Sequence, residues 1–94
     1  MTLTLTPTAI ARQAFVAAQV AVIRASEHPQ AQRWVTAVIR AGEAFQTRAG
    51  RAEMAARCAM YQTTVQECQC EAGQHGHPCK HRAFVRLIQK WEEE

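Results

Sequence analysis

Four metal-ligating side chains fall within fourteen residues of this chain, in the run CQCEAGQHGHPCKH at positions 68–81. They form two close-spaced pairs, Cys68-x-Cys70 and Cys79-x-His81. Three thiolates and one imidazole are the donor set of a closed tetrahedral zinc site, which leaves no position open for a substrate. Glycine and proline in the intervening segment favour the turns that bring both pairs onto one ion. The sequence therefore predicts one structural zinc ion.

The size of the chain supports this prediction. A C-terminal part of about 40 residues can hardly bury enough apolar surface to fold without help, and a structural metal is a usual remedy. Four cysteines could instead form two disulfides in a secreted protein. However, the N-terminal sequence MTLTLTPTAIARQAF lacks the pattern of a signal peptide, and no apolar run reaches the length of a membrane span. We therefore expect a reducing, cytoplasmic location, which favours zinc over disulfides.

The order CxC followed by CxH resembles the SWIM zinc finger, whose motif is CxCx(n)CxH with a variable middle. The segment HPCKH at 77–81 is close to the PCKH common at that family's second ligand pair, and the following RAFVRLI is similar to its ligand-bearing helix. The resemblance covers residues 52–91 and does not extend to residues 1–50. It implies a DNA-binding or protein-interaction module that is not a catalyst.

Three further residues near the motif need an interpretation. His75 and His77 lie in the loop between the ligand pairs and are rivals for the nitrogen position, although the resemblance favours His81. Cys58 lacks ligand-like spacing, so we interpret it as a small buried residue, with redox reactivity as the alternative.

The first predicted helix starts at Thr6-Pro7, where threonine can cap and proline fits the first helical position. Leu5 and Ile10 occupy the positions of a hydrophobic staple, and the helix is expected to run to about Ala25. This helix is rich in alanine, and its broad apolar surface indicates either a central core helix or an interface with a partner or a second copy. The candidate interface residues are Phe15, Val16, Val20 and Ile23.

The second predicted helix starts at His28-Pro29 and is expected to end at Gly50. Its apolar residues recur at three- and four-residue spacing, which is typical of one buried stripe. The stripe comprises Trp34, Val35, Val38, Ile39, Gly42 and Phe45. Gly42 is expected to permit close approach to the first helix, which predicts a hairpin of two helices.

Residues 51–60 are ambiguous, because their composition favours helix whereas the SWIM resemblance implies a strand. The run YQTTV within 61–67 is β-branched and aromatic, and we predict a strand there that pairs with residues 53–58. The predicted fold class is thus small α+β. A helical pair at 1–50 precedes a ββα zinc module at 51–94, within one compact domain.

The last predicted helix carries an apolar stripe of Phe84, Val85, Ile88 and Trp91. Its basic residues recur every four positions and predict a ridge that can follow phosphates; a solvated helix face is the alternative. The ridge comprises Arg82, Arg86 and Lys90, with Lys80 beside its start. The formal net charge of +3 permits nucleic-acid binding without requiring it.

No catalytic set is recognisable, since aspartate is absent and PCKH lacks the glutamate base of the zinc deaminases. The sequence therefore predicts a zinc-stabilised binding module without enzymatic activity. Its expected partner is nucleic acid, with DNA preferred, bound through the last helix and the arginines of residues 1–50 within a larger DNA-processing or regulatory assembly. The first alternative is a protein adaptor that docks through its N-terminal helices, and a redox- or zinc-responsive regulator is a more distant one.

Overall fold

A computed structural model describes residues 7–93 of the chain. Within these residues the secondary structure consists of helices, with no strand. The helices are α1 (Pro7–Ala25), α2 (Ala31–Phe45), α3 (Arg48–Met60), the short α4 (Glu71–Gln74) and α5 (Lys80–Glu92). The prediction of an α+β fold with a ββα module is therefore wrong, because the described part of the chain is all-α.

Residues 51–60 are helical because local helix signals act together there. Thr47 caps α3, since its Oγ1 accepts a hydrogen bond from the backbone N–H of Gly50 at 2.9 Å. Met54 and Cys58, four residues apart, are the two buried side chains of this helix. Helix propensity, capping and one buried face thus agree, and the strand that the resemblance implied does not form.

Residues 61–67 form turns where a strand was predicted. The N–H of Thr63 donates to the carbonyl of Cys58 at 2.9 Å, which turns the chain back at the end of α3. Thr64 closes the next turn, because its Oγ1 accepts from the N–H of Glu67 at 3.1 Å. With the preceding residues helical, the β-branched run has no neighbouring strand to complete a ladder.

Helix α1 ends at Ala25, as predicted. The predicted cap Thr6 and staple residue Leu5 lie outside the described residues. Although α1 is 19 residues long, no helix within residues 7–93 combines the length and the apolar character needed to cross a membrane.

Helix α2 begins at Ala31, two residues after the predicted start at Pro29. His28 causes this shift through two hydrogen bonds. Its ring Nδ1 accepts the N–H of Gln30 at 3.0 Å, and its backbone carbonyl accepts the N–H of Ala31 at 3.0 Å. These bonds form a turn around the proline. The predicted stop at Gly50 is also wrong, since α2 ends at Phe45 and Gly50 lies in the first turn of α3.

Helix α2 is the centre of the fold, with α1, α3 and α5 packed around it. Most of its predicted apolar stripe is buried, but Ile39 is 45% exposed. Gly42 meets α1 as predicted, because a Cβ placed on it would lie 2.7 Å from Cγ1 of Val16. Val38 and Phe45 of α2 and Leu87 of α5 are fully buried, which places the core between these two helices.

An aromatic cluster joins α1 and α5 over the end of α2. The rings of Phe15 and Phe45 have centroids 5.9 Å apart, and Trp91 contacts both edge-on at 5.3 and 5.6 Å. The guanidinium of Arg12 lies 5.0 Å from the ring centre of Phe45 and 4.8 Å from that of Trp91. This cluster fixes the C-terminal part of α5 against the N-terminal half of α1.

The residues predicted as an interface on α1 pack inward. Phe15 and Ile23 are buried in the core, and Val16 and Val20 are partly buried against it. Phe15 and Ile23 are therefore core residues, and they do not form an accessible docking surface.

Candidate metal centre

The four predicted ligands converge in the structure. The Sγ atoms of Cys68, Cys70 and Cys79 and a ring nitrogen of His81 all lie within 4.8 Å of one another. Three of the residues are buried, and Cys70 is 9% exposed. Residues that are separated along the chain thus form one compact group of donors.

Each ligand is positioned by local structure. Cys70 is the extended residue that precedes α4, and Cys79 is the N-cap of α5. Cys79 Sγ accepts the N–H of Arg82 at 3.4 Å, a contact that stabilises a thiolate. His81 follows in the first turn of α5, and its Nδ1 lies 3.8 Å from Sγ of Cys68.

Residues of α3 and of the turns that follow it contact the metal-ligating side chains. The hydroxyl of Thr63 lies 3.1 Å from Sγ of Cys68. The thiol of Cys58 donates to the carbonyl of His81 at 3.6 Å, and the ring of Tyr61 lies 5.0 Å from the imidazole of His81, centre to centre. The buried position predicted for Cys58 is confirmed, and its thiol connects α3 to α5.

The electrostatics of the donors reflect their burial and their hydrogen bonds. Burial raises the pKa of Cys79 to about 12. Burial also disfavours the thiolate of Cys68, but hydrogen bonds from Thr63 and from Cys70 outweigh it and lower the pKa of Cys68. Burial, with the nearby cations Lys80 and Arg57, lowers the pKa of His81 and favours the neutral imidazole that a metal requires.

The donor set fits a zinc ion. Zinc–sulfur and zinc–nitrogen bonds of about 2.0–2.3 Å place tetrahedral ligand pairs about 3.5–3.8 Å apart. The 3.8 Å between Cys68 Sγ and His81 Nδ1 agrees with that spacing, and all pairs lie within 4.8 Å. A cation at the centre would also reduce the electrostatic cost of placing several buried thiolates together. The group can hold one metal ion, and its soft donors suit zinc.

The two rival histidines are not members of this donor group among the described residues. His75 is exposed at the end of α4, and His77 is partly buried with its Nδ1 lacking a hydrogen-bond partner in that part of the chain. Their ring centres lie 6.3 Å apart. The geometry therefore favours His81 as the nitrogen donor.

Gly73 is required by the close packing of residues 68–79, the ligand loop. A Cβ at this position would lie 1.9 Å from the carbonyl oxygen of Cys68, so a larger residue displaces the backbone that carries the first ligand. We expect Gly73→Ala to reduce zinc affinity at least about tenfold, since even partners outside the ligand shell contribute 10–100-fold. Competition with a chromophoric chelator measures this, and Glu71→Ala, an exposed change in the same short helix, is the control. Equal affinities for the two variants would contradict the packing argument.

The predicted basic ridge on α5 is only partly open to solvent. Arg82 stacks over the ring of Trp34 at 4.9 Å and donates through Nε to the carbonyl of Val65 at 3.0 Å. Arg86 lies over the same ring at 5.7 Å, and its Nε is buried without a hydrogen-bond partner in residues 7–93. Trp34, buried as predicted, thus also organises two arginines.

The remaining two basic residues of the ridge lie at its ends. Lys90 is exposed and is 3.6 Å from Glu93. Lys80 is partly buried beside the metal ligands, on the wall of an open cleft. Whether any of the four binds nucleic acid stays a prediction.

The cleft beside Lys80 contains two arginines of the N-terminal half, which the sequence predicts only as part of a group. It measures about 720 Å³, and one wall is the metal centre with α4. The opposite wall is α2, which contributes Arg33, Thr36 and Arg40. The seven-residue spacing of the two arginines places them on one helix face, and this spacing in the sequence indicates that they can act together.

Comparisons with known proteins add no relative: no family model, no curated protein and no solved structure matches this chain.

Proposed function

We propose that this chain is a zinc-stabilised binding module in which the ion has a structural role. The convergence of three thiols and one imidazole carries this proposal. Four protein donors complete a tetrahedral shell, so a bound zinc ion has no open position at which to activate water or substrate. The ion would fix the loop at 68–79 to the start of α5, which gives a small domain a rigid surface.

We expect one zinc ion per chain and loss of structure around the ligand loop when the ion is removed. Native mass spectrometry gives the stoichiometry. Amide hydrogen exchange, with and without a strong chelator, locates the loss, which should be largest in residues 61–79 and at the start of α5. A metal-free chain with unchanged protection in these segments would contradict the structural role.

The finer proposal is that the module binds nucleic acid. It is supported by the formal net charge of +3, and by exposed arginines on α2 near a partly exposed lysine at the start of α5. Phosphate contacts release counterions, so the affinity should fall as salt is raised. Fluorescence anisotropy with single- and double-stranded DNA and RNA at two salt concentrations tests this. Absence of binding to all four at low salt would reject it.

A protein adaptor is the second candidate, and the exposed apolar residues of α1 favour it. Ile10 is 53% and Val22 is 59% exposed. An adaptor would form a complex that is insensitive to salt and is lost on replacing Val22 with glutamate while zinc remains bound.

A further inference from the structure

We propose that the cleft between α2 and the metal centre is a phosphate-binding groove that holds the backbone of single-stranded nucleic acid. This inference rests on the proposed nucleic-acid function and gives it a location. Three cations line the cleft, Arg33 and Arg40 from α2 and Lys80 from α5. The cleft is thus formed by α2, α5 and the ligand loop.

The two arginines are available for a ligand. Arg33 and Arg40 are both exposed, and neither forms an ion pair or a side-chain hydrogen bond within residues 7–93. This distinguishes them from Arg82 and Arg86, whose guanidinium groups lie over Trp34. Side chains without internal partners lose no protein contacts when they bind an anion.

The spacing of the arginines favours a polyanion over a single anion. Seven residues of α-helix separate Arg33 and Arg40 by about 10.5 Å along the axis. One phosphate contacts both guanidinium groups only if the two long side chains bend towards each other, whereas a strand carrying successive phosphates can contact each in turn with the side chains extended. Thr36 lies between them on the same wall and adds a hydroxyl. The helix therefore presents a row of phosphate contacts.

The charge balance of the cleft stays positive. Among residues 7–93, Glu71 is the only carboxylate that lines it, and a loaded centre of three thiolates and Zn²⁺ carries one negative charge behind the opposite wall. Three cations exceed these two charges. The negative charges are on the side of the ligand loop, so phosphates should lie along α2 and near Lys80.

The shape of the site favours a single strand. Duplex DNA is stiff over about 150 base pairs and presents its phosphates on a convex surface, and a cleft of about 720 Å³ is too small to enclose it. A single strand can bend into the cleft, and aromatic side chains in such grooves stack on its bases. Tyr61 and His75 line this cleft and supply rings for that purpose.

The test compares two double variants with equal loss of charge. Arg33→Gln/Arg40→Gln removes the cleft arginines, and Arg24→Gln/Arg48→Gln removes two exposed arginines that do not line the cleft. Zinc-loaded proteins are titrated by anisotropy with labelled single-stranded and duplex oligonucleotides over a range of salt. Zinc content and circular dichroism establish that each variant is folded.

We expect the cleft variant to bind single strands at least about tenfold more weakly at low salt, and its log–log salt slope to be shallower by about 1.4. The control variant should keep most of the affinity. Equal weakening by both variants would overturn the groove while leaving the nucleic-acid function intact. Tighter binding to duplex than to single strands, or equal binding to an acidic polyglutamate peptide, would overturn the assigned occupant. If the wild-type protein binds neither oligonucleotide, the proposed function itself fails.

Discussion

His81→Ala should lower zinc affinity by more than about 100-fold, because a ligand contributes more than the outer partners whose loss costs 10–100-fold. The substitution removes the only nitrogen donor that residues 7–93 contribute to the group, and it leaves three thiols facing an incomplete shell. Its effect should extend to stability, since zinc binding and folding of the loop are linked. Competition titration with a chromophoric chelator measures the affinity, and thermal unfolding with and without zinc measures the linkage.

The rival histidines supply matched controls for this prediction. His75→Ala and His77→Ala remove the same kind of side chain from the same loop, and neither residue belongs to the donor group in the described structure. Both variants should keep zinc within a few-fold of the wild-type affinity. If either variant loses zinc as severely as His81→Ala, the nitrogen donor has been assigned to the wrong residue.

Phe45→Ala should reduce the free energy of unfolding by about 3–5 kcal/mol, the usual range for deleting a fully buried aromatic ring. Phe45 has no exposed surface and contacts both Phe15 and Trp91, so the vacated space cannot be filled by small movements. A loss of this size is a large fraction of the roughly 5–15 kcal/mol that stabilises a typical domain. Urea denaturation of the zinc-loaded protein measures it.

Ile39→Ala is the control on the same helix. Ile39 is 45% exposed, so its replacement should lower the free energy of unfolding by less than about 1 kcal/mol. Comparable losses for Phe45→Ala and Ile39→Ala would mean that the core does not lie where the structure places it. Unchanged zinc stoichiometry in both variants would separate core packing from ligand loss.

The metal ligands could be predicted because donor chemistry and spacing are both local properties. Cys79 and His81 lie within one helical turn, and the glycines between the pairs indicate a tight loop. The supporting contacts could not be predicted in the same way. Cys58 reaches the carbonyl of His81 from another helix, and nothing in its sequence spacing indicates that neighbour.

The prediction of an α+β fold was wrong for an identifiable reason. Residues 51–60 carry a helix-forming composition, whereas the resemblance to a zinc finger implies a strand there, and the structure follows the composition. The N-cap at Thr47 was the missing signal, since it starts α3 three residues before the predicted boundary at Gly50. Once α3 forms, residues 61–67 have no strand partner. The wrong prediction of a strand at 53–58 therefore also made the prediction of a strand at 61–67 wrong.

The basic ridge shows a second limit of sequence reasoning. Spacing places Arg82 and Arg86 on one face of α5, but it cannot reveal that Trp34 of α2 lies beneath both guanidinium groups. Conversely, spacing places Arg33 and Arg40 on one face of α2 without indicating what lies opposite them. Only the position of the ligand loop opposite α2 turns that face into the wall of a cleft.

The central position of α2 has a consequence for the order of folding during synthesis. Its main packing partner is α5, which leaves the ribosome only after α1, α2 and α3. Until then Phe45 and Val38 lack the surface that covers them, and the nascent chain exposes an apolar stripe that can attract chaperones or other chains. The last two ligands, Cys79 and His81, emerge with the start of α5, so metal capture and closure of the core become available at nearly the same moment. The supply of zinc at that moment can therefore determine how long the nascent chain remains open.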